Sequence, residues 1–287
     1  MKIRVPATSA NLGPGFDSCG VALDRYLFVE VIEDSETWLV SHELGTGIPT
    51  NEENLLVATA LQLVPDLTPK HLKMSSDIPV TRGLGSSSSV IVAGIELANR
   101  LGNLNMSDAQ KIAFGTKLEG HPDNVAPAVC GDLVIASAVE NQVDYVRHYF
   151  PPCDIIAFIP EAPLSTEKAR SALPQTLGYK EAVAASSVAN VMVAALLTGN
   201  LPVAGRLMEK DRFHENYRGP LVPHLQVIRD LAHEEGAYGC FLSGAGPTVL
   251  ILSPEDRSQK IVQLLKAWDQ PASVELLSVD REGVQVF

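Results

Sequence analysis

The sequence predicts an α+β protein of two domains, and three observations lead there. Its 287 residues, 46% of them hydrophobic, exceed what one compact core of ordinary size takes up. Strand-like and helix-like segments follow one another in mixed order through both halves, which fits two α+β layers better than a single doubly wound sheet. The run Phe150-Pro151-Pro152 interrupts that pattern, which then restarts. The division therefore falls between residues 1–151 and residues 152–287.

Lys2 to Thr8 and Arg25 to Glu33 have strand character, the second with β-branched and aromatic residues alternating with polar ones. Asn54 to Val64 reads as a short helix, and Leu72 to Ser76 as a strand leading to Ile78-Pro79. The loop Gly83-Leu84-Gly85-Ser86-Ser87-Ser88-Ser89 then runs directly into Val90 to Ala98, whose apolar spacing predicts a helix as far as Leu101, where Gly102 ends it. Ser107, with Gln110 as its capping-box partner, starts a further helix that stops near Gly120. Asp132 to Ala138 and Gln142 to Tyr149 complete the first half as strands.

In the second half Asp154 to Ile159 is a strand of the buried type, and Ser165 caps a helix running to Leu173. Tyr179 to Thr198 is a long helix rich in Ala and Val, ended by Gly199; Leu225 to Glu235 is another, ended by Gly236. Tyr238 to Leu242, Thr248 to Leu252 and Val274 to Val279 are strands, with a helix around Ile261 to Trp268.

Charge narrows the function classes. With 34 acidic against 22 basic residues the chain lacks the basic footprint of nonspecific nucleic-acid binding or of adsorption to anionic membranes. Met1-Lys2-Ile3-Arg4-Val5-Pro6 has no apolar core of leader-peptide length, and no segment approaches the ~20 apolar residues of a membrane span, so a cytoplasmic protein is expected. Cys19, Cys130, Cys153 and Cys240 are scattered without metal-ligand spacing and are expected as reduced thiols.

Three glycine-centred clusters carry the chemistry. In the Gly83 to Ser89 loop two glycines let backbone approach an anion, the serines add hydroxyls and amides, and the following helix offers unpaired N–H groups and a positive dipole end. No Lys follows, which separates this loop from the Gly-x4-Gly-Lys phosphate loop. The run Pro6-Ala7-Thr8-Ser9-Ala10-Asn11-Leu12-Gly13-Pro14-Gly15-Phe16-Asp17 follows a strand and sets Asn11 and Asp17 on either side of a tight bend, suited to a pocket wall. The third, Ser243-Gly244-Ala245-Gly246-Pro247-Thr248, lies between two apolar strands, where a plain hairpin would account for the glycines as well.

In this order and position the three stretches resemble the motifs of the GHMP kinase superfamily, and the details are most similar to its homoserine kinases: Thr8 to Asp17, Glu119-Gly120-His121-Pro122-Asp123-Asn124, and Gly236-Ala237-Tyr238-Gly239. The resemblance implies an N-terminal ATP-binding α+β domain, a C-terminal ferredoxin-like α/β sandwich, and phosphoryl transfer from ATP with Mg2+ to L-homoserine in a homodimer. It implies ATP contacts at Asn54, Pro79, Arg82, Gly83, Leu84, Gly85, Ser86, Ser87, Ser88 and Ser89, and a metal shell of Ser87 or Ser88 with Glu119. It implies substrate contacts at Asn11, Asp17, His121, Asn124, Arg170, Arg218, Gly244, Gly246 and Thr248. The two arginines would clamp a carboxylate, and Asp17 with Asn11 would hold an ammonium.

Asn124, Glu119, Ser87 and Arg170 are the catalytic candidates. Asn124 stands where mevalonate and galactose kinases carry an Asp base, so transfer without a protein base is expected, with Asp123 pointing elsewhere. The chain departs from longer members in the shorter spacing from Glu119 to Asn124. Two rival readings remain at this point: a mevalonate- or sugar-type kinase, against which Asp17 speaks, and a catalytically silent metabolite-binding relative.

Overall fold

A computed structural model of the chain describes residues 1–140 and 142–287. The chain begins in a mixed sheet of seven strands: β1 (Lys2–Ala10), β2 (Cys19–Asp34), β3 (Leu39–Ser41), β4 (Lys70–Ser76), β5 (Leu133–Val139), β6 (Gln142–His148) and β11 (Gln285–Val286). The order is β11-β1-β2-β4-β3, with β5 on β2 and β6 on β5. β2 is longer than the Arg25 to Glu33 segment expected of it because its two halves serve different neighbours: Leu27 to Asp34 pairs with β4 and Cys19 to Val21 with β5. Against this sheet lie α1 (Leu55–Leu63), α2 (Ser86–Leu101), α3 (Asp108–Glu119) and α4 (Val125–Cys130), the last not expected from sequence.

The second sheet is antiparallel, in the order β10-β7-β9-β8, built from β7 (Asp154–Pro160), β8 (Gly239–Leu242), β9 (Val249–Ser253) and β10 (Ala272–Leu277). Alternation along its strands buries both faces. Ile155, Ala157 and Ile159 of β7 enter the core that continues into the first sheet, together with Met192 and Leu196 of α6 (Tyr179–Leu197) and Ala204 and Met208 of α7 (Leu201–Met208). Ile156 and Phe158 enter a second core with Ile228 of α9 (Leu225–Glu234) and Ile261 of α10 (Glu255–Ala267). α5 (Thr166–Ser171) and the single turn α8 (Glu215–Arg218) meet the first glycine cluster, through Arg170 on Asp17 and through His214, just before α8, on the Gly13 carbonyl.

Besides the short elements β3, α4, α7 and α8, which the sequence reading does not include, two larger features depart from it. After β10 the chain returns to the first sheet, through a bridge between Val279 and Leu23 and then β11 against β1. Arg281, bonded to Asp132 and to the Phe150 carbonyl, fastens that return. The other is α6, whose 19 residues and mean hydropathy of 1.4 make it long and apolar enough by length and composition to cross a membrane, contrary to the expectation that no segment approaches such a span. Ala and Val supply that hydropathy, and the helix packs through Met192, Ala195 and Leu196 into the core of the first sheet.

Candidate active site

One cavity of about 390 Å³ gathers residues from all three glycine clusters and from the Glu119 to Asn124 segment. Gly83, Gly85, Ser86, Ser87 and Ser88 line it at the start of α2. Gly85 caps that helix in the left-handed region at φ 69°, and no side chain caps it, so the first-turn amides stay open to a ligand. A Cβ on Gly85 would overlap Thr8 Oγ1 and stand 3.2 Å from Asn124 Oδ1, so the loop is packed tightly onto the first and middle motifs. Thr8 Oγ1 donates to Asn124 Oδ1 at 2.8 Å, which leaves the Asn124 amide nitrogen as the group it can offer a ligand.

Among the described residues the buried Ser88 Oγ has no hydrogen-bond partner, while the more exposed Ser87 Oγ lies 3.5 Å from Glu119 Oε2. Ser87, Ser88 and Glu119 all line the cavity, and hydroxyl and carboxylate oxygens are hard donors. Leu44, Ile48, Pro49, Leu55, Met74 and Val90 give the same cavity apolar walls. Those residues were not singled out in the sequence, because an apolar side chain in a loop or strand carries no sign of whether it faces a core or a ligand.

Charges of both signs line the cavity as well. Arg170 donates to both carboxylate oxygens of Asp17, at 2.9 and 3.1 Å, and this bond raises the Arg170 pKa above its ordinary value. Arg218 is almost fully buried; burial, aided by the nearby Arg170 charge, pushes its pKa down to about 10, which leaves it cationic at neutral pH. Both guanidinium groups lie over the Phe16 ring, at 5.7 and 5.4 Å from its centroid.

His121 Nδ1 and Asp123 Oδ1 are 2.5 Å apart, and one ligand atom each of Asp17, His121 and Asp123 fall within 4.8 Å of one another. Burial alone would lower the His121 pKa, but the Asp123 hydrogen bond and the charges of Asp123, Asp17 and Glu119 carry it above the ordinary value. Asp123 therefore does not point elsewhere, as expected, but lines the cavity, because its backbone carbonyl packs on Gly20 while its carboxylate turns to His121.

Several expected contacts serve other purposes. Asn11 lines the cavity, yet its Oδ1 accepts from the Asp17 amide and its Nδ2 donates to the Gly244 carbonyl, tying the first motif to the third. Asn54 also lines it, with its amide committed to capping α1 through Leu56 N and to the Pro49 carbonyl. Arg82 reaches across to the carbonyls of Pro160 and Glu161. Gly244 is part of the wall, whereas Gly246, Thr248, Pro79, Leu84 and Ser89 are not. Leu84 is turned into the core with its carbonyl accepting from Thr8 N, Ser89 Oγ bonds back to Ser86, and Thr248 is buried where β9 begins.

An uncapped glycine–serine helix start that shares its cavity with a charged slot, between two α+β layers, is the architecture of the small-molecule kinases. A family profile described as the GHMP kinases N terminal domain matches residues 54–132, and one described as GHMP kinases C terminal matches residues 192–269. Over its whole length and the whole of the relative, the chain is 65% identical to "Homoserine kinase" of Enterococcus faecalis. It belongs to the GHMP kinases, within their homoserine kinase family. A structure from Listeria monocytogenes, provisionally assigned as a homoserine kinase, superposes with a TM-score of 0.90 at 49% identity, covering 100% of this chain and 98% of that one. The L. major mevalonate kinase in complex with R-mevalonate superposes at 0.76 with 19% identity, covering 98% and 96%, a likeness of fold alone.

Proposed function

We propose that the chain transfers the γ-phosphoryl group of ATP to the side-chain hydroxyl of L-homoserine, giving O-phospho-L-homoserine for threonine synthesis. One observation carries this reading: Asp17, Arg170 and Arg218 line the same cavity as the glycine–serine loop. A zwitterion stripped of water needs a carboxylate and a cation as partners, and the slot supplies both. A sugar would call for neither, and a mevalonate-like acid would meet an uncompensated Asp17.

The amides of Gly85 to Ser88 are assigned to the phosphates and the apolar walls to the base. Ser87, Ser88 and Glu119 would hold Mg2+, and the unpartnered Ser88 hydroxyl with its hard-oxygen neighbours fits that ion. When bound, Mg2+ neutralises phosphate charge.

No protein base is assigned. Asn124 offers an N–H to the acceptor oxygen, Asp17 is paired with Arg170, and Asp123 is paired with His121. The acceptor proton passes to the transferring phosphoryl group, and rate comes from alignment and charge neutralisation. The reading extends to a cytoplasmic homodimer, as the family resemblance implies; light scattering on a sizing column tests the dimer.

The direct test is ATP consumption with homoserine, with no acceptor, with mevalonate and with galactose. Turnover with homoserine alone is expected. Equal turnover with another acceptor would move the chain to a different small-molecule kinase, and none with any acceptor would make it a silent relative.

A further inference from the structure

We infer that His214 is a positioning residue: it holds the Arg218 guanidinium so that one nitrogen, Nη2, is presented to the carboxylate of the acceptor. The inference rests on the function proposed above, since it assigns that carboxylate to Arg218.

His214 is fully buried at the turn before α8, outside the cavity wall, and stacks on Phe16 with ring centroids 5.3 Å apart. Its Nε2 lies 2.9 Å from the carbonyl oxygen of Gly13, and its Nδ1 lies 3.2 Å from Arg218 Nη1. The two partners dictate the tautomer. A carbonyl only accepts, so Nε2 carries the proton; a guanidinium only donates, so Nδ1 is bare. Burial keeps the ring neutral, outweighing the Asp211 charge, and the Asp211 carboxylate is itself occupied by the amides of Phe213, His214 and Glu215.

Arg218 is thereby fixed on three acceptors. Nε donates to the Ala169 carbonyl at 3.3 Å, and Nη1 donates to His214 Nδ1 and to the Gly244 carbonyl, each at 3.2 Å. Among the described residues Nη2 makes no hydrogen bond, and Arg218 lines the cavity. Without a bare imidazole nitrogen, one Nη1 hydrogen loses its acceptor and the fork is free to rotate about the other two. The chain of bonds also runs from Gly13 in the first motif through His214 and Arg218 to Gly244 in the third, so the clamp is set by the packing of both.

Two substitutions separate the roles of the two ring nitrogens. The Oδ1 of an asparagine falls near Nδ1, so His214→Asn keeps an acceptor for Arg218; the amide nitrogen of a glutamine falls near Nε2, so His214→Gln keeps the donor to Gly13 and loses that acceptor. By calorimetry, H214Q is expected to weaken homoserine binding roughly tenfold and H214N no more than about twofold, in line with one charge-assisted bond. Neither is expected to change the affinity for ATP or for 3-aminopropanol, which is homoserine without its carboxylate. The 15N spectrum of the imidazole is expected to show the proton on Nε2. Equal losses in both variants, a matching loss for 3-aminopropanol, or a proton on Nδ1 would overturn the inference. If the native protein binds no homoserine the proposed function fails, and the imidazole spectrum then decides this inference by itself.

Discussion

Asp17 and Arg170, 153 positions apart in the chain, bond to each other through both carboxylate oxygens and two guanidinium nitrogens, at 2.9 and 3.1 Å. Each therefore occupies, on its partner, the place that the like-charged end of a zwitterion would take. On the function proposed above, binding of an amino acid would exchange one set of pairs for another: its carboxylate would replace Asp17 on Arg170, and its ammonium would replace Arg170 on Asp17. The exchange changes no net charge in the slot, which keeps the desolvation cost low.

Removing one side of that exchange has a signature. Arg170→Ala is expected to raise KM for homoserine by roughly ten- to a hundredfold with KM for ATP unchanged, as steady-state kinetics would show. Asp17→Asn is expected to weaken homoserine while improving inhibition by 4-hydroxybutyrate, which keeps the carboxylate and lacks the ammonium. Parallel losses for both ligands would contradict the pairing.

Gly85 is a loop position that cannot accept a side chain without strain. Its φ of 69° disfavours any Cβ, and an added one would overlap Thr8 Oγ1. Gly85→Ala is expected to abolish ATP-dependent thermal stabilisation and to cut kcat/KM by about two orders of magnitude or more, while homoserine still stabilises the protein. A melting curve with each ligand checks this.

The base-free assignment separates two neighbours. Loss of a general base typically costs about 10² to 10⁴ in rate. Asp123→Asn is expected to leave kcat within about tenfold and to act mainly on KM for homoserine, whereas Asn124→Ala lowers kcat by about 10 to 100-fold. A collapse of kcat in Asp123→Asn with binding intact would assign the base to Asp123.

What the sequence disclosed depended on whether a signal was local. The Ser107–Gln110 capping box forms as read, with the Ser107 amide donating to Gln110 Oε1 at 2.8 Å, because capping is decided within one turn. The glycine–serine loop and its helix were likewise visible, since φ > 0 positions and an apolar period leave marks in the residues themselves. The return of β11 to β1 was not, because two paired residues at the chain end leave no such mark. In the site, the charged and glycine-rich members were legible and the apolar walls were not. The sequence points to Thr248 and Asn11 as ligand contacts, while the structure buries the first and commits the amide of the second to Asp17 and Gly244.

His121 links the site to pH. Its pKa is raised in the folded state despite burial, through Asp123, Asp17 and Glu119. A raised pKa contributes stability that is fully present below the ordinary imidazole value of 6.5 and is lost as pH rises through the folded value. The difference in Tm between the native protein and His121→Gln is therefore expected to be largest in mild acid and to shrink toward alkaline pH. A difference that grows with pH would contradict the pairing with Asp123.

The central claim is that a lysine-free glycine–serine loop and a two-signed slot work as one cavity. A crystal structure with a non-hydrolysable ATP analogue, Mg2+ and homoserine tests it most directly. Phosphates are expected on the amides of Gly85 to Ser88, the carboxylate on Arg170 and on Nη2 of Arg218, and the Asp17–Arg170 pair opened around the amino acid. Phosphates bound away from that loop, or homoserine bound elsewhere with the pair still closed, would contradict it.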